Sequence, residues 1–429
     1  MVKEKKTKNL IIGSGPGGAT VAKELAARNE DVIIIEKGRH HVWSVGRIFA
    51  YATMYDIKKS KDGILVRRGI TTGGSTMLYS GNAYDPPSFL KHELGIDLDN
   101  EVLETKKELS VKPVPETFFK NYNGTLRLVE AADSLGYAMH PQARFIDPKV
   151  CDPTCDRCLF GCKKNAKWTA RAYLDDAVAN GAELITRCEA EKILISGMAA
   201  EGIDARTPHG PMRIMADRVV LAAGGIGTPV ILKNSGLKEA GEQFFTDPMS
   251  IIVGAMKQGH GTFHEITYTF ADESDVGEFV IGNVGAVNAF AAQVAALNLP
   301  YLWRGAQIKR LAGMFVKLCD SPQGRVDRRG HIHKKLNEQD EARMARGVDK
   351  AIRIMKKAGV DPSTLSIAKG IGGHPGGTAA IGRVVDNRLQ TKINNLYVCD
   401  NSVMPRSGGV PPVLTIIAMA KKMSRTVFV

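Results

Sequence analysis

A strand–turn–helix–strand pattern at residues 8–38 constrains the fold of this chain more than any other feature. Residues 9–12 form a short apolar run typical of a buried strand, residues 19–28 carry apolar side chains at helical spacing, and a second apolar run at 31–35 ends at Glu36. The turn between the first run and the helix has the spacing G-x-G-x-x-G. Its residues are Gly13, Ser14, Gly15, Pro16, Gly17 and Gly18. This order predicts a βαβ unit that binds a dinucleotide.

Each glycine of this turn has a physical role in such a unit. The first permits a tight turn, the second lets the backbone approach a diphosphate at the helix N-terminus, and the third lets helix and strand pack closely. Glu36 stands where an acid accepts hydrogen bonds from ribose hydroxyls, and Lys37 beside it is included in the predicted site. An acid at this position disfavours NADP but does not separate NAD from FAD. The alternative is an ordinary glycine turn.

A second glycine pair follows an apolar stretch near residue 64. Paired glycines followed by two hydroxyl residues allow the backbone to close on a ligand and offer hydrogen-bond donors to it. The residues are Gly73, Gly74, Ser75 and Thr76. They are predicted cofactor contacts, with a plain turn as the alternative.

Composition narrows the class of protein. The 429 residues are 44% apolar without any run of 18 apolar residues, and the first residues contain no apolar signal segment, so a cytoplasmic protein without a membrane span is expected. The net charge is +13, but aromatic residues make up 6% of the chain, which argues against nucleic-acid binding. A solvated basic surface is the expected reading; contact with an acidic electron-transfer partner or with anionic lipid is the alternative.

Four motifs in order resemble the glucose–methanol–choline (GMC) oxidoreductases, a family of FAD enzymes. They are GSGPGG, GITTGGST with SGNAYDPP, VVLAAGGIGTPVILKNSG, and the C-terminal stretch from GGHPGG to GGVPPVLTIIAMA. The resemblance implies an α/β fold, with a Rossmann-like FAD-binding domain and an inserted α+β substrate domain built on an antiparallel sheet. We expect the first part of the FAD domain at 1–240, the substrate domain at 241–366 and the second part of the FAD domain at 367–429.

The resemblance also implies further cofactor contacts. Residues near Ala190 face the adenine in the family, a turn after the strand at 218–223 returns beneath the dinucleotide, and a C-terminal strand and helix reach the diphosphate, ribityl and flavin. The predicted residues are Ala190, Ala223, Gly224, Asp400, Asn401, Pro411 and Pro412. The C-terminal helix is expected to begin at the two prolines, because proline is tolerated at a helix start.

His374 is the predicted catalytic residue. It matches the family position whose imidazole takes the hydroxyl proton of an alcohol while hydride passes to the flavin. Relatives place Asn or His at the position of Pro411, where the side chain helps to hold the substrate oxygen. Proline has no side-chain donor, so another residue supplies the donor or the substrate is not a simple alcohol.

Four cysteines crowd into the segment 150–168. Cys151, Cys155, Cys158 and Cys162 are spaced at intervals of four, three and four residues, which is similar to the runs that hold 4Fe–4S clusters. The first interval has one residue more than the usual run, and Lys163 stands where a proline is usual. Zinc is the alternative, followed by free or disulfide-bonded cysteines.

Three functions follow from these features. The first is an FAD-dependent dehydrogenase that acts on the CH–OH group of a small organic substrate and sends electrons through a 4Fe–4S cluster to a protein or quinone acceptor. The second, motivated by Pro411, is a reductase or saturase acting on a C=C bond, or an electron-transfer subunit of a larger complex. The third is a zinc-binding scaffold without catalysis, which the intact glycine motifs disfavour.

Three predictions concern the middle of the chain. Alternating residues at 262–284 predict antiparallel strands, and the apolar stretch 290–316 predicts helix with a break at Pro300. The stretch 337–359 predicts an amphipathic helix capped by Asn337.

Overall fold

The fold consists of two β-sheets with helices packed on them. It is a computed structural model that describes residues 2–296 and 298–428. The strands are β1 (Lys3–Ile12), β2 (Val32–Glu36), β3 (Tyr55–Lys59), β4 (Leu65–Gly69), β5 (Lys112–Pro113), β6 (His140–Pro141), β7 (Ala143–Arg144), β8 (Glu183–Thr186), β9 (Glu189–Ser196), β10 (Ala199–Thr207), β11 (Gly210–Leu221), β12 (Met249–Ala255), β13 (Phe270–Asp272), β14 (Phe279–Val284), β15 (Leu311–Leu318), β16 (Arg325–Val326), β17 (Ile332–His333), β18 (Ser366–Gly372) and β19 (Leu396–Val398). The helices are α1 (Pro16–Ala26), α2 (Ala50–Thr53), α3 (Phe89–His92), α4 (Asp99–Glu108), α5 (Asn123–Asp133), α6 (Arg171–Ala179), α7 (Gly224–Asn234), α8 (Ala286–Ala295), α9 (Glu338–Lys357) and α10 (Val413–Thr426).

The first sheet is the predicted dinucleotide-binding unit. Its order is β8-β2-β1-β11-β10-β9, with β19 paired to β11. Strands β8, β2, β1, β11 and β19 run parallel, because α1 carries the chain back across the sheet between β1 and β2. The carboxyl ends of β1, β2, β11 and β19 therefore meet at one edge, where open α/β sheets bind their ligands.

The second sheet contains the strands β12–β15 of the segment 241–366, where the substrate domain is predicted. Its order is β3-β4-β18-β12-β15-β14-β13-β6, and its described pairs are antiparallel except β4 with β18. It takes β3, β4 and β6 from the part of the chain that the domain prediction places in the first FAD segment. The predicted fold class, a Rossmann-like FAD-binding part with an antiparallel α+β part, is confirmed.

Helices cover both faces of the second sheet. Ile252, Met314 and Val316 pack with residues of α5 and α9, while Ile251 and Phe315 pack with α8, as expected from side chains that alternate between faces. The register places Met249 opposite both Lys317 and Ile371. The start of β12, the end of β15 and the end of β18 thus lie side by side.

The predicted amphipathic helix is confirmed as α9. The Asn337 side chain accepts a hydrogen bond of 2.8 Å from the Asp340 amide and so caps the helix N-terminus. The helix predicted at 290–316 is wrong in its second half. Helix α8 ends at Ala295, a 3-10 segment covers Leu299–Arg310, and β15 begins at Leu311.

The strands predicted at 262–284 form only from residue 270 onward. His264 and Tyr268 adopt left-handed backbone angles, with φ of +58° each, which an extended strand excludes. Their segment instead turns so that the buried Glu265 carboxylate accepts hydrogen bonds of 2.8 Å from the amides of Gly124 and Thr125 at the start of α5. Across the described residues, no helix is long and apolar enough to cross a membrane.

Candidate active site

The predicted glycine turn lies at the carboxyl edge of the first sheet. Gly13 has φ of +105°, and a Cβ there would lie 2.3 Å from the Ala222 carbonyl oxygen. A Cβ at Gly17 would lie 1.9 Å from the Cys399 carbonyl oxygen, whereas a Cβ at Gly15 would meet no protein atom within 4 Å. At Gly13 and Gly17 the backbone packs directly against other backbone of the same protein. The space at Gly15 is open for a ligand, as a bound diphosphate requires.

Helix α1 begins at this turn with Pro16 in its first position. No side chain caps its N-terminus. A Cβ at Gly18 would lie 2.0 Å from the Gly13 carbonyl oxygen, so the helix start is pressed against the end of β1. An uncapped helix N-terminus next to open space fits an anionic diphosphate.

Glu36 ends β2 beside the turn and is buried. Its carboxylate accepts hydrogen bonds from the Ser14 amide (3.1 Å), the Ser14 hydroxyl (2.6 Å) and the Gly38 amide (2.6 Å). Burial raises the pKa of Glu36, and these hydrogen bonds oppose the rise. Lys37 is half-exposed and pairs with Glu189 at 2.7 Å. The Glu36 carboxylate is held in place and keeps acceptor capacity for a ribose hydroxyl.

The second glycine loop packs directly on the first. A Cβ at Gly74 would lie 2.9 Å from the Gly15 Cα, and the Thr76 hydroxyl donates to the Gly73 carbonyl at 2.5 Å. The Ser75 hydroxyl accepts a hydrogen bond from a backbone amide of β4. The structure therefore brings together two loops that lie sixty residues apart in the chain.

A cavity of about 430 Å³ runs between the two sheets. It is lined by most of the predicted cofactor residues and by the predicted base. These are Gly13, Gly15, Pro16, Gly17, Glu36, Lys37, Gly74, Ser75, Thr76, Ala190, Ala223, Gly224, Asp400, Asn401, Pro411, Pro412 and His374. Gly18 and Gly73 lie behind this lining, where they shape the two loops.

Asp400 ties the C-terminal segment to α7. Its buried carboxylate accepts hydrogen bonds from the Gly224 amide (2.8 Å), the Thr228 hydroxyl (2.6 Å) and the Ser402 amide (2.7 Å). Burial raises its pKa, and the hydrogen bonds oppose that rise. The Asn401 side chain donates to the carbonyls of His374 and of the next residue, at 3.1 and 3.2 Å. One short turn thus links the cofactor side of the cavity to the predicted base.

Pro411 and Pro412 line the cavity immediately before α10. The helix begins at Val413, two residues after the predicted start, with Pro412 at the N-cap. Val413 and Ile416 also line the cavity, so the N-terminus of α10 opens on it. The partial positive charge of this helix end can stabilise a negative charge on a ligand there.

A buried group of charges surrounds His374 at the end of β18. Its Nδ1 lies 3.3 Å from Asp247 Oδ2, and the same carboxylate oxygen lies 2.9 Å from Lys317 Nζ. The Ser407 hydroxyl donates to Asp247 Oδ1. Asp247 has φ of +47°, in the left-handed region that aspartate tolerates better than most residues. The three strand ends that the sheet register places together supply His374, Asp247 and Lys317, and the segment before α10 supplies Ser407.

The charges set the protonation states. Burial and the charge of Lys317 lower the pKa of His374, although Asp247 pulls it upward. Burial would raise the pKa of Asp247, but Lys317, His374 and Ser407 together lower it to about 2. At neutral pH the aspartate is therefore ionised and the imidazole neutral. A neutral ring with its Nδ1 proton toward Asp247 leaves Nε2 as a proton acceptor.

Sequence reasoning missed Asp247, Lys317 and Ser407. Asp247 and Lys317 stand in no local motif, since one precedes a buried strand and the other lies inside one. Ser407 falls within the C-terminal motif, and that position was the available signal.

Family models now give the classification. The model for the N-terminal part of GMC oxidoreductases matches residues 9–260, and the model for the C-terminal part matches residues 315–420. The chain belongs to the GMC oxidoreductase family. It is accordingly an FAD-dependent oxidoreductase, and the glycine turn, the open space at Gly15 and the uncapped α1 fit that cofactor.

Relatives of this GMC protein occur in several organisms. An uncharacterised protein of Methanocaldococcus jannaschii is 29% identical, and the alignment covers 97% of this chain and 98% of that protein. An uncharacterised GMC-type oxidoreductase of Mycobacterium tuberculosis is 29% identical, with 96% of this chain and 74% of that protein covered. A long-chain-alcohol oxidase of Arabidopsis thaliana is 23% identical, with 96% and 66% covered.

Two solved GMC-type structures share the fold. Pyridoxine 4-oxidase from Mesorbium loti superposes with a TM-score of 0.73 at 15% identity, covering 98% of this chain and 99% of that one. Formate oxidase from Aspergillus oryzae superposes with a TM-score of 0.72 at 16% identity, covering 99% and 98%. These likenesses support the fold class.

The four-cysteine segment of this GMC protein lies against the cavity without lining it through its thiols. Leu159 lines the cavity, and the buried Lys167 donates hydrogen bonds to the carbonyls of Met77 (3.1 Å), Tyr79 (2.6 Å) and Cys158 (2.8 Å). Lys167 therefore fastens this segment to the second glycine loop.

The cysteines do not form a metal site in this arrangement. Cys151, Cys155, Cys158 and Cys162 are free thiols, and within residues 2–296 and 298–428 no three or more His, Cys, Asp or Glu side chains are arranged to hold a metal ion. Burial raises the pKa of Cys151 to about 12, and the neighbouring cysteines add to the rise. The thiols share one neighbourhood but are not arranged around a common metal ion.

Proposed function

We propose that this protein oxidises the CH–OH group of an organic alcohol, with His374 as the base. The observation that carries the proposal is the His374–Asp247 pair, 3.3 Å apart, whose imidazole lies on the wall of the cavity that holds the predicted cofactor residues. The likeness to long-chain-alcohol oxidases is consistent with an alcohol donor.

The residues perform the proton part of the reaction. The Nδ1 proton of His374 points to Asp247, so Nε2 accepts the hydroxyl proton as the carbonyl forms. Bound FAD supplies the acceptor for the hydride that leaves the same carbon. Asp247 holds the ring in the required tautomer and stabilises the imidazolium that results, while Ser407 and Lys317 hold Asp247.

The cofactor assignments belong to the same proposal. Gly15 and the start of α1 take the diphosphate, Glu36 the ribose, and Ala190 the adenine. Asp400 and the N-terminus of α10 face the ribityl chain and the flavin. The fit rests on the open space at Gly15 and on the bonds that already fix each carboxylate.

Anaerobic rapid mixing with a panel of primary alcohols, from short to long chain, tests the base. Replacing His374 by alanine should slow flavin reduction by about 10²- to 10⁴-fold while FAD stays bound. The matched control is His331→Ala, because His331 is exposed, pairs with Asp327 at 2.9 Å and does not line the cavity. Unchanged reduction in the His374 variant would refute the base assignment.

Pro411 is the reason for considering a second reaction. Because its side chain offers no donor for an alcohol oxygen, reduction of a C=C bond stays the alternative. Dithionite-reduced enzyme mixed with unsaturated acids and ketones distinguishes the two. Rapid flavin reoxidation by such compounds, with no flavin reduction by any alcohol, would favour the alternative.

We also propose, from cysteine spacing, that the segment 150–168 holds a 4Fe–4S cluster and that a protein or quinone is the electron acceptor. Zinc is the alternative ligand. The thiol geometry described above lends no support, so iron, zinc and acid-labile sulfide analysis of anaerobically purified protein is the test. About four iron and four sulfide per chain would support the cluster, and Cys158→Ser should abolish both. Metal-free protein would refute the cluster and the zinc site together.

A further inference from the structure

Arg67 lies on the wall of the cavity near the predicted base. It belongs to β4, whose residues Leu65 and Val66 pair in parallel with Ile371 and Gly372, just before His374. Burial and Lys317 dominate the lowered pKa of His374, and the charge of Arg67 contributes to the same lowering. Burial raises the pKa of Tyr268, and the charge of Arg67 opposes this rise. Arg67, Tyr268 and His374 all line this cavity, and the Arg67 charge acts on both other side chains.

This guanidinium lacks a partner in the part of the chain that the structure describes. The Arg67 side chain forms no hydrogen bond or ion pair among the described residues. The neighbouring Arg68 differs, since it contacts Asp56 at 2.8 Å through two nitrogens. Successive side chains of a strand point to opposite faces, and Arg68 approaches α7, within 3.6 Å of a Cβ built at Gly227. Arg68 thus faces the dinucleotide side, and Arg67 faces the side of His374.

The carboxylates that line the cavity are already engaged on the cofactor side. Glu36 and Asp400 accept the hydrogen bonds described above, and Glu189 pairs with Lys37. Another part of the wall is aromatic and apolar, and Lys317, which also lines the cavity, is already paired with Asp247. Tyr268 packs edge-on against Phe315 with ring centroids 5.0 Å apart, and Met249 and Val280 complete this wall. An unpaired guanidinium beside such side chains is a site for a carboxylate, because its planar fork can donate two parallel hydrogen bonds to one.

We propose that the substrate carries a carboxylate, which Arg67 binds while the hydroxyl group of the same molecule faces His374. This inference rests on the proposed alcohol oxidation and narrows its substrate to hydroxy acids. An aromatic or apolar body between the two groups suits the wall formed by Tyr268 and Phe315.

Binding of unreactive carboxylates to the FAD-loaded protein tests the site without turnover. Acetate, hexanoate and benzoate are titrated against the corresponding amides, and the change in the visible flavin spectrum gives the dissociation constants. We expect at least one carboxylate to bind more tightly than its amide. Arg67→Gln should raise the dissociation constant of that carboxylate by roughly tenfold or more. Arg67→Lys should keep part of the preference.

Arg329→Gln is the matched control, since Arg329 also lines the cavity but belongs to the turn between β16 and β17 and not to β4. It should leave the carboxylate preference within about twofold of the parent. Equal binding of acids and amides, no binding of any acid, or an equal effect of the two glutamine variants would overturn the proposal. Loss of FAD from the Arg67 variant would also overturn it, because Arg67 would then serve the cofactor.

The outcome is separable from that of the base. Full flavin reduction in His374→Ala together with Arg67-dependent carboxylate binding would remove the base assignment and leave the anion site. Slow flavin reduction in His374→Ala together with carboxylate binding that does not depend on Arg67 would leave the alcohol oxidation and remove the anion site.

Discussion

The two ends of the cavity are built by different means. At the cofactor end, backbone lies against backbone, and Gly13, Gly17 and Gly74 leave no room for side chains. At the catalytic end, buried charged side chains from separate strands face one another around Asp247. The first construction depends on shape and tolerates few substitutions. The second depends on charge balance, so single substitutions should change pH dependence more than folding.

The largest effect should separate two glycines of one turn. Gly17→Ala forces the backbone away from the Cys399 carbonyl and should destabilise the FAD-free protein by about 3 kcal/mol or more. Gly15→Ala should leave the melting temperature of the FAD-free protein unchanged, because Gly15 has φ of −69° and no protein neighbour there.

FAD titration then shows whether Gly15→Ala impairs cofactor binding without impairing folding. The methyl group of Gly15→Ala occupies the proposed diphosphate site and should raise the dissociation constant for FAD by about 10- to 100-fold. If Gly15→Ala binds FAD normally, the open space at this glycine is not the diphosphate site.

At the catalytic end, Asp247→Asn should slow flavin reduction by about 10²-fold. Asparagine tolerates the left-handed backbone at this position, so folding should persist, but the imidazole loses the carboxylate that orients it. Because the Asp247 charge raises the pKa of His374, its removal should also move the acid limb of the rate–pH profile to lower pH. Stopped-flow reduction between pH 4 and 8 measures both effects.

Lys317→Met should move the same limb in the opposite direction. The Lys317 charge lowers the pKa of His374, so its loss raises that pKa and the base is protonated at higher pH, with a shift of about one unit. Shifts of the same sign in both variants would show that charge balance does not control His374.

The smallest effect should lie outside both ends. Asn337→Ala removes the N-cap of α9 and should cost about 1 kcal/mol of stability in urea unfolding. FAD affinity and reduction rate should stay unchanged. A change in either would mean that α9 carries strain to the cavity.

The difference between the two ends also explains what the sequence could predict. Much of the cofactor end is formed by residues that are contiguous in the sequence, so the stretch from Gly13 to Glu36 could be interpreted as a βαβ unit without tertiary information. Asp247, Lys317 and His374 become neighbours only through the register of β12, β15 and β18, which no local pattern reveals. The sequence of β15 predicts helix, because a strand buried on both faces is apolar throughout and lacks the two-residue alternation that identifies a strand. The segment before residue 270 alternates as a strand does, yet Glu265 is required at the start of α5.

The close contact between Gly17 and the Cys399 carbonyl joins two positions almost four hundred residues apart. Strand β19 and helix α10 supply one wall of the cavity, so a growing polypeptide cannot enclose FAD until both elements have left the ribosome. Flavin is therefore acquired only after most of the described residues have been synthesised. Yellow colour in a preparation accordingly reports molecules in which β19 and α10 have docked on the first sheet, and products truncated before β19 should remain colourless.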